Sequence, residues 1–205
     1  MAKKKSKPKS AEEDQWEPMS RVEPRDALVR LIKNRIVFLY EEITSDVAIT
    51  MISQLLLLDS ENKEDQISMY IMSPGGDITA SLAIYDTMQH ISCPVATYCL
   101  GEAASCAAFL LAGGEEGKRF ALPSARVMIH QPWGDASGDN DDIRIAAKEM
   151  TKLRDMMYNL LSKHTGKTKK DIAKDCDRDF WMGAKEAKEY GLIDRVVTPS
   201  KRRKR

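Results

Sequence analysis

The stretch ISMYIMSPGGDITASLAIYDTMQHISCPVATYCLGEAASCAAFLLA, residues 67–112, decides the fold. Ile67 to Met72 is a short, largely apolar run with β-branched Ile67 and Ile71, bounded by Ser73-Pro74-Gly75-Gly76, and it predicts a buried strand. Asp77 to Ile91 carries helical spacing, Val95 to Leu100 returns to a strand pattern, and Ala104 to Ala112 is a helix of small and apolar residues. Strand, helix, strand, helix in that order predicts parallel βαβ units. The same rhythm extends to both sides. Upstream, Ile36 to Tyr40 predicts a strand and Ser45 to Asp59 a helix with Ser45 as its N-cap. Downstream, Arg119 to Leu122 and Arg126 to Ile129 predict two short strands, and Gln131 to Asn140, with its Gly and Asp, predicts a loop or exposed ribbon. A long helix follows from Asp141 to His164 with Gly166 as its C-terminal stop, then a helix from Lys169 to Lys174. Ala184 to Tyr190 predicts a helix stopped by Gly191, and Leu192 to Val197 a last strand.

The ends differ from this body. Residues 1–25 are polar and contain Pro8, Pro18 and Pro24, so the expected domain spans 26–198, with a polar, disordered N-terminal segment before it and a basic tail at 199–205. The formal net charge of +1 hides an uneven distribution, because residues 1–10 and 201–205 each hold five basic residues and no acids. Removing those ten leaves 22 basic against 31 acidic residues, a body near −9. The tails read as solvated charge, with no nucleic-acid role. Apolar residues make up 42% of the chain, no run of 18 apolar residues exists to span a membrane, and the lysine-rich start lacks the apolar segment of a secretory signal. A cytoplasmic location is expected. Cys93, Cys99, Cys106 and Cys176 have no CxxC spacing, so neither a disulfide framework nor a metal site is indicated.

Two strand-to-helix junctions stand out, since helix N-termini offer unpaired N–H groups and a positive dipole end. At Ser73-Pro74-Gly75-Gly76 the glycines let backbone amides approach a bound group, although an ordinary tight turn needs the same residues. At Gly101-Glu102-Ala103-Ala104-Ser105-Cys106-Ala107-Ala108 a serine sits among small side chains where a helix begins. Ala103 and Ala107 stand where a G-x-S-x-G elbow has glycines, so that motif is not matched. Ser105 is a candidate nucleophile, and equally a candidate N-cap. A serine nucleophile needs a base, and the chain has three histidines. His164 and His90 lie at helix C-termini, where the dipole favours a cationic ring. His130 follows the apolar strand Val127-Met128-Ile129 and precedes Gln131-Pro132, at a strand end. It is the candidate base. Composition does not select the orienting acid from so many carboxylates.

Several segments in order carry a family resemblance: Met72 to Gly76, Ile84 to Gln89, Gly101 to Phe109, Arg126 to Pro132, His164-Thr165-Gly166, Asp177-Arg178-Asp179 and Glu186 to Asp194. Phe38 to Val197 resembles the ClpP family, the proteolytic subunits of Clp proteases. The resemblance implies an α/β fold, a ClpP/crotonase-type spiral of βαβ units with a protruding helix-strand handle at about 131–165. It implies Ser105, His130 and Asp179 as the catalytic residues and the backbone N–H groups of Gly76 and Cys106 as the oxyanion hole. It further implies a homo-oligomer of two stacked heptameric rings, alone or mixed with a paralogue, with Arg178 coupling assembly to activity. An AAA+ unfoldase such as ClpX or ClpA/ClpC would dock on a pocket that includes Tyr70, Tyr98, Leu100, Phe120 and Leu122. It would use the ATP and feed in unfolded polypeptide, and the subunit itself would hold no cofactor. Residues 131–142 would pair with substrate. The chain departs from the family pattern at Cys106 and Ala107, where Met and Gly are usual, at Asp135, where the ribbon has glycine, and before residue 26. The competing expectations are a ring subunit that only contributes structure and a crotonase-like acyl-CoA enzyme.

Overall fold

The computed structural model describes residues 24–197. Strands β1 (Ile36–Leu39), β2 (Ile67–Ser73) and β3 (Val95–Ala104) run parallel, separated by helices α2 (Ser45–Glu61) and α3 (Ile78–His90). These are the βαβ units that the apolar rhythm predicts. Helix α1 (Pro24–Lys33) precedes them, and α4 (Cys106–Ala112) follows β3. All seven residues of α4 are buried, which explains why its sequence lacks a polar stripe. Phe109, Leu110 and Leu111 are among the largest buried side chains, so α4 is the centre of the core and not its cover.

The strand order is β1-β2-β3-β4-β7, with β4 (Arg119–Ala121) and β7 (Arg195–Val196) completing that path. The sheet turns a corner inside β3. Ile71 pairs with Cys99 but Ser73 pairs with Ala103, so β3 advances four residues while β2 advances two. Gly101, at φ +63°, lies inside the irregularity. The first half of β3 pairs with β4 through Thr97 to Cys99, and the second half pairs with β5 (Arg126–Ile129) through Glu102 to Ala104. Antiparallel β6 (Phe180–Gly183) then joins β5. This is the spiral α/β fold.

Helix α5 (Asn140–Thr165) is the helical part of the handle, capped by Asp139 and ended by Gly166 in the left-handed conformation at φ +74°. Its buried residues, Met157, Tyr158 and Leu161, all fall in the second half, so the first half projects from the body. Residues 131–139 take no ladder partner within the single chain. Helices α6 (Lys169–Asp175) and α7 (Ala184–Tyr190) complete the chain.

A buried ion pair fastens the helix ends together. Arg119 donates to Asp194 from Nε and from its backbone amide, and its Nη1 donates to the carbonyls of Ala112, His164 and Gly191. One guanidinium thus gathers the C-terminal ends of α4, α5 and α7. Burial alone would raise the Asp194 pKa, but the hydrogen bonds and charge of Arg119 hold it below the ordinary carboxylate range.

Some expectations are corrected here. Thr44, not Ser45, caps α2, its hydroxyl accepting from the Val47 amide, because Ser45 already has helical geometry. Strand β3 runs four residues past Leu100, since pairing with β5 extends it. The last strand keeps only Arg195 and Val196, and β6 was not anticipated at all. The expectations for residues 1–23 and 198–205 lie outside the described residues.

Candidate active site

Ser105 stands between β3 and α4 with φ +56° and ψ −126°, a backbone conformation that side-chain-bearing residues adopt only under constraint. The constraint is visible. Its amide donates to the Met128 carbonyl at 2.8 Å, and its carbonyl accepts from Ala108 and Phe109 of the buried helix. Ser105 occupies the N-cap position but makes no capping hydrogen bond with its side chain. The hydroxyl instead lies 2.8 Å from His130 Nε2.

His130 is delivered by sheet pairing. Ala104 pairs with Met128, so the residue after β3 comes beside the end of β5. On the other side of β5, Ile129 pairs antiparallel with Phe180, which places the preceding residue, Asp179, opposite His130. The imidazole Nδ1 lies 3.0 Å from Asp179 Oδ1. With its proton on Nδ1, the ring donates to Asp179 and leaves Nε2 to accept the serine proton. The His130 side chain is 17% exposed, whereas Asp179 is 61% exposed at the start of an edge strand. All three residues named from the sequence therefore meet, although 74 residues separate the first from the last in the chain.

The glycine pair comes to the same place. Gly75 has φ +96° and Gly76 φ +149°. A Cβ on Gly75 would sit 2.7 Å from both the Ala104 carbonyl oxygen and the Ser105 Cβ, and one on Gly76 would run into the Ile43 backbone, 2.7 Å from its nitrogen. Both sites exclude a side chain. Ile43 donates to the Gly75 carbonyl and accepts from Asp77, so the Gly76 N–H is left out of that bridge. Cys106 opens α4, where the first amides of a helix have no intrahelical acceptor. The Cys106 thiol is buried, and that burial raises its pKa above the ordinary thiol value. Burial thus favours the neutral thiol beside the serine.

These groups line a cavity of about 400 Å³. One wall is polar, with Gly75, Gly76, Ser105 and His130; the other is apolar, with Ile78, Phe109, Met157, Tyr158 and Leu161. Such a hollow next to a nucleophile holds an apolar side chain and orients its neighbouring carbonyl. Among the described residues no cluster of His, Cys, Asp or Glu could hold a metal ion.

The other histidines are elsewhere. His164 Nε2 lies 2.8 Å from the Tyr85 hydroxyl, and burial, then the charges of Lys163 and Arg119, push its pKa down to about 4. The cationic ring expected at this helix end is thus a neutral one, because desolvation outweighs the helix dipole. His90 ends α3 and is exposed. Arg178 is exposed and joins no ion pair among the described residues.

Tyr70, Tyr98 and Phe120 form a stacked ladder across β2, β3 and β4, with ring centroids 4.7 and 4.8 Å apart. Phe38 extends it onto β1 at 5.4 Å. Register explains the ladder: Phe38 pairs with Tyr70, Tyr70 with Tyr98 and Tyr98 with Phe120. Phe38 was not singled out in the sequence, although its strand position mirrors that of Tyr70. Leu100 and Leu122 follow two residues after Tyr98 and Phe120, and Leu122 is exposed.

A serine, an imidazole and a carboxylate converging beside a glycine pair on a spiral α/β body is the arrangement of groups used by serine peptidases. Comparison with known proteins agrees with that class. The family model described as Clp protease matches residues 20–200. A curated relative from Rhodopirellula baltica, ATP-dependent Clp protease proteolytic subunit 1, is 57% identical over 167 residues, covering 82% of this chain and 74% of the relative. The chain belongs to the Clp protease family and is a peptidase subunit. Among the described residues no helix is long and apolar enough to cross a membrane.

Proposed function

We propose that the subunit cleaves peptide bonds by acyl-enzyme catalysis with Ser105 as nucleophile, His130 as general base and Asp179 as the acid that orients the imidazole. The observation that carries this reading is the continuous hydrogen-bonded chain from Ser105 Oγ to His130 Nε2 at 2.8 Å and from His130 Nδ1 to Asp179 Oδ1 at 3.0 Å. As Oγ attacks the scissile carbonyl, its proton passes to Nε2, and the carbonyl oxygen becomes an oxyanion that accepts from the amides of Gly76 and Cys106. Each donor contributes about 3 kcal/mol to the transition state in sites of this kind. The imidazolium then protonates the departing amine as the C–N bond breaks. Water, deprotonated by the same imidazole, attacks the ester and releases Ser105. No cofactor takes part in this subunit.

Features of the surface support the finer assignments. The subunit assembles into two stacked heptameric rings, alone or with a paralogue, using the projecting half of α5, which exposes Ile143 and Ile145. The exposed Asp179 and Arg178 are open to a neighbouring subunit, which supports a coupling of assembly to the geometry of the acid. The aromatic ladder with Leu100 and Leu122 is the docking face for an AAA+ unfoldase of the ClpX or ClpA/ClpC type. That partner spends ATP to deliver unfolded polypeptide, and residues 131–139, without a ladder partner of their own, pair with it. The products are short peptides.

The test is labelling of the assembled protein with a fluorophosphonate, followed by peptide mapping, together with degradation of an unfolded protein. Covalent capture at Ser105, lost in Ser105→Ala particles of unchanged mass, is expected. Capture at another residue, or none on intact rings that show no turnover, overturns the assignment.

A further inference from the structure

Trp133 is the most exposed large apolar side chain among the described residues, at 79%. It lines the catalytic cavity together with His130 and Pro132, and it also lines the adjoining surface groove that holds Asp177, Arg178 and Asp179. It therefore stands where the cavity opens onto the surface, beside the imidazole. It adds nothing to the core cluster. An indole at the mouth of a cavity that holds the serine and the imidazole offers an apolar face to whatever enters there.

Its base is held firmly. Gln131 donates from its backbone amide to the Cys176 carbonyl at 2.6 Å and from its side chain to the Asp177 carbonyl at 3.0 Å. Pro132 fixes one backbone dihedral of the next link. On the far side Gly134 packs against α5, where a Cβ would meet the Met150 methyl at 2.9 Å. With the backbone held on both flanks of Trp133, covering the indole costs side-chain freedom but little backbone freedom.

Building on the peptidase reading, we infer that Trp133 is a specificity-determining residue, which receives a second side chain of the bound peptide, beyond the one held in the apolar hollow. The occupant is aromatic. A planar ring stacks on the indole face, while the neighbouring carboxylates of Asp177 and Asp179 leave the edges of the groove polar. In an extended peptide side chains alternate, so the residue over Trp133 is distinct from the residue in the hollow.

The experiment uses the assembled full-length protein and peptides with Leu fixed before the scissile bond and Phe or Ser placed in turn at each flanking position. For the wild type, one position shows a higher kcat/KM with Phe than with Ser. In Trp133→Ala that Phe-to-Ser ratio falls by about 2- to 10-fold, carried by KM, which is the range aromatic pairs support. Trp133→Phe keeps the preference. A ratio that stays the same in Trp133→Ala overturns the inference, and so does a changed particle mass by native mass spectrometry, which would put the indole in a contact between subunits. A wild type that neither hydrolyses these peptides nor takes up fluorophosphonate takes down the peptidase mechanism as well. A wild type that does both, with no Phe preference anywhere, removes only the role of Trp133.

Discussion

Gly75→Ala places one methyl group against the nucleophile. The new Cβ would lie 2.7 Å from the Ser105 Cβ, 2.7 Å from the Ala104 oxygen and 3.0 Å from the Cys106 nitrogen. Carbon atoms sit comfortably at about 3.5 Å or more, so Ser105 or the glycine strand must move by roughly 0.8 Å. The backbone at φ +96° adds a strain of about 1–3 kcal/mol for a residue with a side chain. No rotamer change relieves either effect, because a Cβ position is set by the backbone. A shift of that size stretches the 2.8 Å bond between Ser105 and His130 beyond good hydrogen-bonding length and tilts the Cys106 amide away from the carbonyl oxygen. Misplacement near 1 Å costs about 100-fold, and loss of an oxyanion donor about 100- to 1000-fold. We therefore expect kcat/KM for a fluorogenic peptide to fall at least about 100-fold, with fluorophosphonate labelling slowed in parallel. Native mass spectrometry and far-ultraviolet circular dichroism check that the particle and its helices persist. An assembled Gly75→Ala particle with activity within about threefold of the wild type would refute the argument that this glycine clears space for the serine and the amide.

Other expectations follow from the same coordinates. Asp179→Asn replaces the carboxylate with an uncharged amide that can donate to Nδ1 and so favours the wrong imidazole tautomer, lowering kcat by roughly 100-fold or more, with KM changed little, in steady-state assays of intact rings. Asp194→Asn leaves the buried Arg119 charge uncompensated and destabilises the fold by about 3 kcal/mol, read as a drop in denaturant midpoint, even though it touches no reacting group. His164 titrates near 4 in the folded chain and near its ordinary 6.5 when unfolded. The unfolded state therefore binds more protons between those values, and its contribution to stability is complete above 6.5 and lost as pH falls toward 4. Replacement by Gln flattens the difference in melting temperature across that window; an unchanged pH profile would show that His164 is not buried as a neutral ring.

The parallel α/β class, the helices from α2 to α7 and the glycine junction were legible because each depends on local pattern: apolar period, a cap, a stop. Ser105 was legible as an unusual serine, with its N-cap alternative still open, and His130 by its place at a strand end. Strand β6 was not, since Phe180-Trp181-Met182 is too short to show a period and acquires its conformation from pairing with Arg126 to Ile129. The end of β3 is set by its register with β5, which no window of sequence contains.

Local sequence settled most of the strands and helices, though not α1 or β6, because backbone preference and apolar spacing act within a few residues. Residue patterning left the carboxylate beside His130 open and only the family resemblance named Asp179; the antiparallel register of β5 and β6 is what brings it opposite the ring. Tertiary structure also decided that the Ser105 hydroxyl lies against His130 and does not cap α4, that His164 is neutral, and that four aromatic rings on four strands form one ladder. Each of these depends on the distance between groups far apart in the chain, and that distance is fixed by packing rather than by any local preference.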